Sequence, residues 1–410
     1  MFHLKKVGAV FLLCLLTTGC WSRNEVEDLA IVSAIGIDQV QQGDAKKIQF
    51  SVLVVKPERS SGGSPIGAGT AGGVPGWINF GEGNSVFDAQ RNLSTTTPRR
   101  IFLGHSRVII LGEETARNGV GDIIDYLERD KDIRLRNWVV VSKSSALQTL
   151  TLDPVLENLF SDEVNDLLTL SAPRVSKTYA VDLKDFLVDL ASPGKEAVLP
   201  LLEVREIPKE VSLESQQGGQ TRSTKNIRLE GLAVFYEDKM VGELKERETK
   251  GFLWVIGQAK TGTLTFSVPN KGTKKPVQVT VEMTRAKSQI KTKILNGKPD
   301  ISVKIVAEGN LGEFSDPEAS IKPEDIAFIN KAYAAQIKEE AEMALAKCQN
   351  EFQSDIFGFG SIFHRQHAKY WAQYQLEKNW TKIFPEVPVK VEVQANIRRT
   401  GLTSDSISIE

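Results

Sequence analysis

Apolar and polar positions lay out most elements of this chain before any chemistry is considered. Residues 30–38 (AIVSAIGID) and 47–55 (KIQFSVLVV) are β-rich runs, and 41–44 (QQGD) supplies turn residues between them, so a hairpin is expected. A helical pattern follows over 85–93, with Asn84 or Ser85 as its cap. Residues 100–103 and 106–111 read as strands, 121–129 as a helix and 137–142 (NWVVVS) as a buried strand. Helical signals then dominate at 144–150, at 154–168 with Pro154 in the first turn, and at 182–190 before Pro193-Gly194. A further strand lies within 196–207.

The second half begins with a hairpin of 231–236 and 241–244, a helix over 245–256 and a strand at 264–268. Val277, Val279, Val281 and Met283 alternate cleanly with polar residues. Strands at 290–295 and 301–307 flank Asn296-Gly297, a strong turn signal, and the width of the gap predicts a loop longer than two residues. Ile326, Ile329, Tyr333, Ile337, Ala341, Leu345, Cys348 and Phe352 recur at steps of three and four, which marks a long amphipathic helix. A second helix is expected over 363–379, and a last strand alternates from Val389 to Ile397. This half therefore reads as an antiparallel sheet covered by a long helix.

Strands mixed with helices give an α+β chain. Its expected divisions are an N-terminal α/β domain at 20–148, a largely helical middle subdomain at 149–207, a linker at 208–226 and a C-terminal α+β domain at 227–410. The linker is polar and centred on Gln216-Gln217-Gly218-Gly219-Gln220. Residues 60–76 hold seven Gly, three Ser and two Pro, and read as a mobile loop that cannot bury enough apolar surface to offset ordering.

The first 19 residues change this picture from a fold to an address. Lys5 and Lys6 precede an apolar run over 7–16 interrupted only by Gly8, and Thr17-Thr18-Gly19-Cys20 follows. The run is shorter than the ~20 residues needed to span a bilayer. Small residues before Cys20 predict a lipoprotein signal peptide at 1–19, cut before Cys20, with Cys20 as the lipidation site and the bilayer as its partner. Two acyl chains suffice for stable anchoring. Thr17 stands where such signals usually carry Leu. Of the three cysteines, Cys14 leaves with the signal and Cys20 is capped. Cys348, on the apolar stripe, is expected to be a buried hydrophobe. The overall balance of 51 basic and 52 acidic residues implies no polyanionic partner, so no nucleic acid is expected.

No enzyme signature emerges, and no cofactor is expected. Gly67-Ala68-Gly69-Thr70-Ala71-Gly72 matches a dinucleotide fingerprint in letters, but no strand precedes it and no helix follows, so it is read as chance. His364 and His367 share a helix start without a third ligand nearby, and are expected to be solvent-facing or capping rather than metal-binding. His105 has no readable nucleophile partner, and Glu113 and Glu114 are expected to complement a helix N-terminus. Arg398-Arg399 offers lipid headgroups only two charges.

The chain resembles the Ger(x)C family, the lipoprotein C subunit of nutrient germinant receptors in spore-forming Bacillales and Clostridia. The resemblance begins at Gly19-Cys20-Trp21-Ser22-Arg23-Asn24-Glu25-Val26, and continues through Asp28-Leu29-Ala30-Ile31-Val32 and Ile35-Gly36-Ile37-Asp38. Later blocks are Arg99-Arg100-Ile101-Phe102-Leu103-Gly104-His105, Arg134-Leu135-Arg136-Asn137-Trp138, Gly231-Leu232-Ala233-Val234-Phe235 and Gly251-Phe252-Leu253-Trp254. The last are Glu308-Gly309-Asn310-Leu311-Gly312-Glu313, Ser354-Asp355-Ile356-Phe357-Gly358-Phe359-Gly360 and Ile397-Arg398-Arg399-Thr400-Gly401. Ser22 stands where the family often has Asp, and the Gly-rich loop is extended.

The resemblance implies an elongated three-domain lipoprotein on the outer face of the spore inner membrane, assembled with membrane-embedded A and B subunits and needed for nutrient-triggered germination. Only Cys20 carries over as a functional residue. Two other classes compete. A solute-binding lipoprotein of an importer would have two doubly wound lobes around a cleft. An envelope hydrolase would have to work from His105 and the Glu113/Glu114 pair.

Overall fold

The computed structural model describes residues 25–43, 45–56, 76–206, 225–269, 276–314 and 323–399. The fold is α+β, built on a nine-stranded and a four-stranded sheet. The large sheet starts with the expected hairpin, β1 (Leu29–Gln42) and β2 (Ala45–Val55), paired with Ile35 opposite Val52 and Ile37 opposite Phe50. Next come β3 (Gly76–Gly83), α1 (Val86–Asn92), β4 (Arg100–Phe102), β5 (Val108–Gly112), α2 (Glu113–Asn118), α3 (Gly121–Arg129) and β6 (Trp138–Ser142). Then follow α4 (Ala146–Leu150), α5 (Phe160–Asp166), a π turn over Leu167–Ser171, α6 (Ala172–Val175), α7 (Leu183–Ala191) and β7 (Val198–Glu206). The sheet closes with β8 (Lys225–Tyr236) and β9 (Lys239–Leu244).

The strand order is β3-β2-β1-β5-β6-β7-β8-β9, with β4 beside the start of β1. β1, β5, β6 and β7 run parallel, which accounts for their apolar character on both faces. One face packs Val86 and Ala89 of α1, Ile123 and Leu127 of α3 and Phe186 of α7 against Ile35, Ile37, Ile109 and Val139. The other packs Ala146, Leu150, Phe160 and Val164 against Ala34, Val108, Ile110 and Val140.

The hydrophobic pattern did not announce β3. Its sequence, GWINFGEG, is poor in strand formers, yet Gly81 and Gly83 are what lets α1 lie on it: a Cβ at either would run into the backbone at Ala89. Helix α5 starts at Phe160, six residues later than expected. Val155 and Leu156 are exposed, so they offer no face whose burial would extend the helix back to Pro154. The helices expected as a middle subdomain over 149–207 divide between the two faces of the large sheet, and β7 is one of its strands. β7 and β8 pair antiparallel, with Glu206 opposite Lys225 and Arg205 opposite Asn226, so the last two residues of the expected 208–226 linker belong to β8, and one sheet continues across the connection. The Gly-rich loop at 60–76, apart from Gly76, and the Gly67–Gly72 motif lie outside the described residues, as do the signal segment, Cys14 and Cys20.

The C-terminal half comprises α8 (Glu246–Ile256), β10 (Gly262–Pro269), β11 (Pro276–Leu295), β12 (Lys298–Phe314), α9 (Pro323–Lys347), α10 (Phe359–Gln366), α11 (Ala368–Gln373), α12 (Leu376–Ile383) and β13 (Val389–Arg399). The sheet order is β10-β11-β12-β13. Three expectations change here. β11 is continuous through the polar 284–289, because its backbone pairs with β12 throughout, past irregularities at Thr280/Val281 and Met283/Arg285. The turn is two residues, not longer: Asn296 and Gly297 have φ of 51° and 71°, the double positive φ of a tight hairpin. β13 joins parallel to β12, so the sheet is mixed, because the long helix and its successors form the crossover that carries the chain back to the same end.

The expected stripe is buried from Ile329 through Tyr333, Ile337, Ala341, Leu345 and Cys348 to Phe352, while Ile326 is half-buried. The helix expected over 363–379 is instead three short ones, broken at His367 (φ −132°) and Gln375 (φ 48°). The C-terminal core also includes Val198, Leu232, Val234 and Leu244 of the large sheet, so the two sheets share a core.

Candidate functional site

Two constellations stand out, and both draw in part on the sequence blocks quoted above. The first is the end of the large sheet where β1, β5 and β6 begin. Arg107 N donates to Ser33 O (2.9 Å) and Trp138 N donates to Arg107 O (2.9 Å). Asn137 Nδ2 donates to Ser106 Oγ (2.7 Å), which donates to Leu103 O (2.8 Å). Three segments far apart in the chain, beside or within those blocks, thus become one knit surface. Arg99, Arg100, Arg134, Leu135 and Arg136 are exposed on it.

Above this end, Asp38 closes the apolar run of β1 while only 4% exposed. Its carboxylate accepts from Ala146 N (2.8 Å) and Leu147 N (2.9 Å), so it caps α4 from 108 residues away. Burial pushes its pKa up, opposed by those two amide hydrogen bonds. Gly112 admits this carboxylate, since a Cβ there would occupy the place of its Oδ1. Replacing Asp38 by alanine strands two buried amides and is expected to cost about 2–3 kcal/mol, read as a lowered denaturation midpoint.

The second constellation joins the two halves. Asp355, 1% exposed, accepts from Gly360 N (2.8 Å), Phe359 N (3.2 Å) and Trp380 Nε1 (2.8 Å). Ser354 Oγ donates to Phe235 O (2.6 Å), and Glu196 N donates to Asp355 O (2.9 Å). Glu196 Oε2 accepts from Glu237 N (2.8 Å). Gly194 (φ 73°) and Gly360 meet backbone to backbone, and a side chain on either would collide with the other. Ser361 N then donates to Gly194 O (3.0 Å). The Ser354–Gly360 block is therefore a latch onto the segment between α7 and β7. Burial raises Asp355 to about 6, against its hydrogen bonds, and raises Glu196 to about 7, with Asp355 and Glu237 adding repulsion.

A groove of about 980 Å³ lies beside the first constellation, between α1 and α3. Lys46, Arg91, Arg100, Asp122, Tyr126 and Asp132 are among its lining residues. Tyr126 packs edge-on against Phe50, and burial together with Asp130 raises its hydroxyl pKa. The groove offers charges of both signs.

The other sequence candidates fall apart from one another. His105 is exposed. Glu113 and Glu114 begin α2, as expected, and Glu113 pairs with Arg117 (2.7 Å). His364 stacks on Trp371 (4.8 Å between centroids) and His367 packs tilted on Phe363 (4.6 Å), so both are half-buried and not solvent-facing, while His367 takes the expected cap position, between α10 and α11, without a side-chain cap bond. Among the described residues no group of His, Cys, Asp or Glu is placed to hold a metal. Cys348 is fully buried, and burial holds its thiol pKa well above the ordinary value. Arg398 bonds Glu308 (2.6 Å). Asp38, Asp355 and Glu340 were not singled out from sequence. Asp38 and Asp355 had one available signal, an acid beside an apolar run, whereas Glu340 lies in the charged stretch 338–342 and gave none.

Comparison with known proteins gives these surfaces a class. Residues 22–204 match the spore germination protein N-terminal domain, and residues 230–401 match the C-terminal domain described as spore germination B3/GerAC-like. The chain belongs to the Ger(x)C family of spore germination proteins. It is 28% identical to spore germination protein KC of Bacillus subtilis (strain 168), over 95% of this chain and 94% of that one. It is 23% identical to spore germination protein B3 of the same organism, over 97% and 98%. The crystal structure of the GerBC protein shares the fold, with a TM-score of 0.53 at 17% identity, over 89% of this chain and 98% of that one. The importer alternative required two doubly wound lobes; the chain has one large mixed sheet and a four-stranded sheet sharing a core.

Proposed function

We propose that this chain is the C subunit of a spore nutrient germinant receptor, anchored by acylated Cys20 on the outer face of the spore inner membrane and assembled with membrane-embedded A and B subunits. The observation that carries the reading is that both germination domains match in order across nearly the whole chain, behind a lipoprotein-type signal. Two features support it further. Among the described residues no helix is long and apolar enough to cross a membrane, so attachment falls to the N-terminus or to partners. The knit surfaces carry exposed arginines and structural glycines, which suits an interaction protein. A Cys20→Ala variant is expected to lose its acyl label and leave the membrane fraction. Retention without label would place the anchoring in the partners instead.

The reading extends to domain organisation. The matched spans 22–204 and 230–401 are the two family units, with 208–226 as the joint between them. Because β7 pairs with β8 and the two sheets share a core, a protease cut within 208–226 is expected to leave both fragments in one particle on size exclusion until denaturant is added. Separation in native buffer would contradict a shared core.

A further inference from the structure

We infer that the end of the large sheet where β1 begins is a docking face for an anionic lipid headgroup layer, with Arg99, Arg100, Arg134 and Arg136 as its phosphate-contacting residues. The inference rests on Cys20 being the lipid anchor, and it adds which face of the body meets the bilayer.

Topology makes the face. β1, β5 and β6 run parallel, so their starting loops emerge at one end. The hydrogen bonds from Asn137 to Ser106 and from Trp138 to Arg107 hold together segment 99–107, which contains β4, and loop 130–137. Four guanidinium groups are exposed on these loops and make no ion pair among the described residues. Arg107, on the same end, is already taken by Asp162 at 3.0 Å. A guanidinium matches phosphate oxygens in a planar, two-point geometry, and positions near an anionic surface gain about fivefold in binding per cation. Leu135 is 45% exposed between Arg134 and Arg136, an apolar tip flanked by cations that fits the headgroup boundary.

The tether selects this end. Residues 20–24 separate Cys20 from Glu25, and at ~3.5 Å per residue the chain reaches at most about 18 Å. Leu29, at the start of β1, lies opposite Arg100 in the parallel pair. The arginines are therefore presented to the bilayer at high effective concentration, so individually weak contacts count. Glu25, Glu27 and Asp28 precede β1, and Asp130 and Asp132 lie half-buried at the start of the second loop, so attraction rests on the four exposed arginines and depends on headgroup charge.

The test uses the full acylated chain in vesicles of phosphatidylcholine, with or without about one third phosphatidylglycerol, followed by amide hydrogen exchange. Exchange over 99–107 and 130–137 is expected to slow about fivefold or more in the anionic vesicles only. The slowing should vanish in the combined Arg99→Gln, Arg100→Gln, Arg134→Gln and Arg136→Gln variant, whose exchange in the β5 and β6 core stays as in the parent. Vesicle-bound chain with equal exchange on both lipids overturns the docking face while leaving the anchor intact. Slowing that needs receptor membrane subunits in the vesicles also overturns it and makes the face a protein interface. Acylated chain that binds neither vesicle overturns the anchor itself.

Discussion

Replacing Asp355 by alanine is expected to destabilise the chain by about 3–5 kcal/mol, because it strips the acceptor from three buried donors at once. Gly360 N, Phe359 N and Trp380 Nε1 all end on this carboxylate, and the peptide oxygen of the same residue receives Glu196 N from the other half. Alanine keeps that peptide oxygen, but the turn that presents it to Glu196 loses its three carboxylate bonds. Denaturant unfolding should show a single lowered transition, or a split one if the halves come apart first. A midpoint within experimental error of the parent would contradict the latch.

The same carboxylate sets a pH dependence whose sign is fixed by the direction of its shift. Asp355 is raised to about 6 and Glu196 to about 7, against ordinary carboxylate values near 4. The folded chain holds these protons where the unfolded chain has lost them. Stability from these groups is thus fully present below about pH 4, falls as pH rises to about 7, and is flat above. Glu246, drawn down by Lys177 and Lys250 against its own desolvation, acts the other way at acid pH. Asp355→Asn is expected to flatten the fall between pH 4 and 6 in urea midpoints measured across that range. An unchanged slope would show that Asp355 ionises normally.

The second large effect is expected at Gly251. In α8 this residue lies against α9 so closely that an added Cβ would land on Glu340 O, with Glu340 C at 2.6 Å and Ala344 Cβ at 2.9 Å. One turn on, Trp254 Nε1 donates to Glu340 Oε2 (3.0 Å), and burial raises the pKa of that carboxyl. Backbone cannot move aside as a flexible side chain can, so Gly251→Ala forces the helices apart and breaks the Trp254–Glu340 bond. A loss of about 3 kcal/mol is expected, with part of the near-ultraviolet signal of Trp254. A thermal midpoint equal to the parent's would mean the two helices separate at no cost.

Much of the fold was legible where burial is local and periodic. The β1–β2 hairpin, Ser85 as the cap of α1, and the stripe from Ile329 to Phe352 follow from alternation, capping chemistry and a helical period, and each appears in the structure. What was not legible depends on partners distant in sequence. β3 has glycines where strands usually have branched residues, because the packing helix needs the room. The polar middle of β11 is held by β12, not by its own side chains. The continuity of the large sheet across 208–226 is a pairing of β7 with β8 that no local composition reveals. The candidate surfaces divide the same way. Their blocks were visible as sequence, but that Asp38 caps a helix and Asp355 closes a latch depends on amides brought from elsewhere by the fold.

The central claim is that this chain serves a nutrient germinant receptor, and its most direct test is dipicolinate release from spores whose only receptor genes are those of this system. Spores lacking the chain are expected to release none in response to any nutrient while remaining able to germinate by a non-nutrient trigger. Restoring the wild-type chain should restore release, and the Cys20→Ala chain should not restore it in full. Full nutrient-triggered release without the chain would contradict the account.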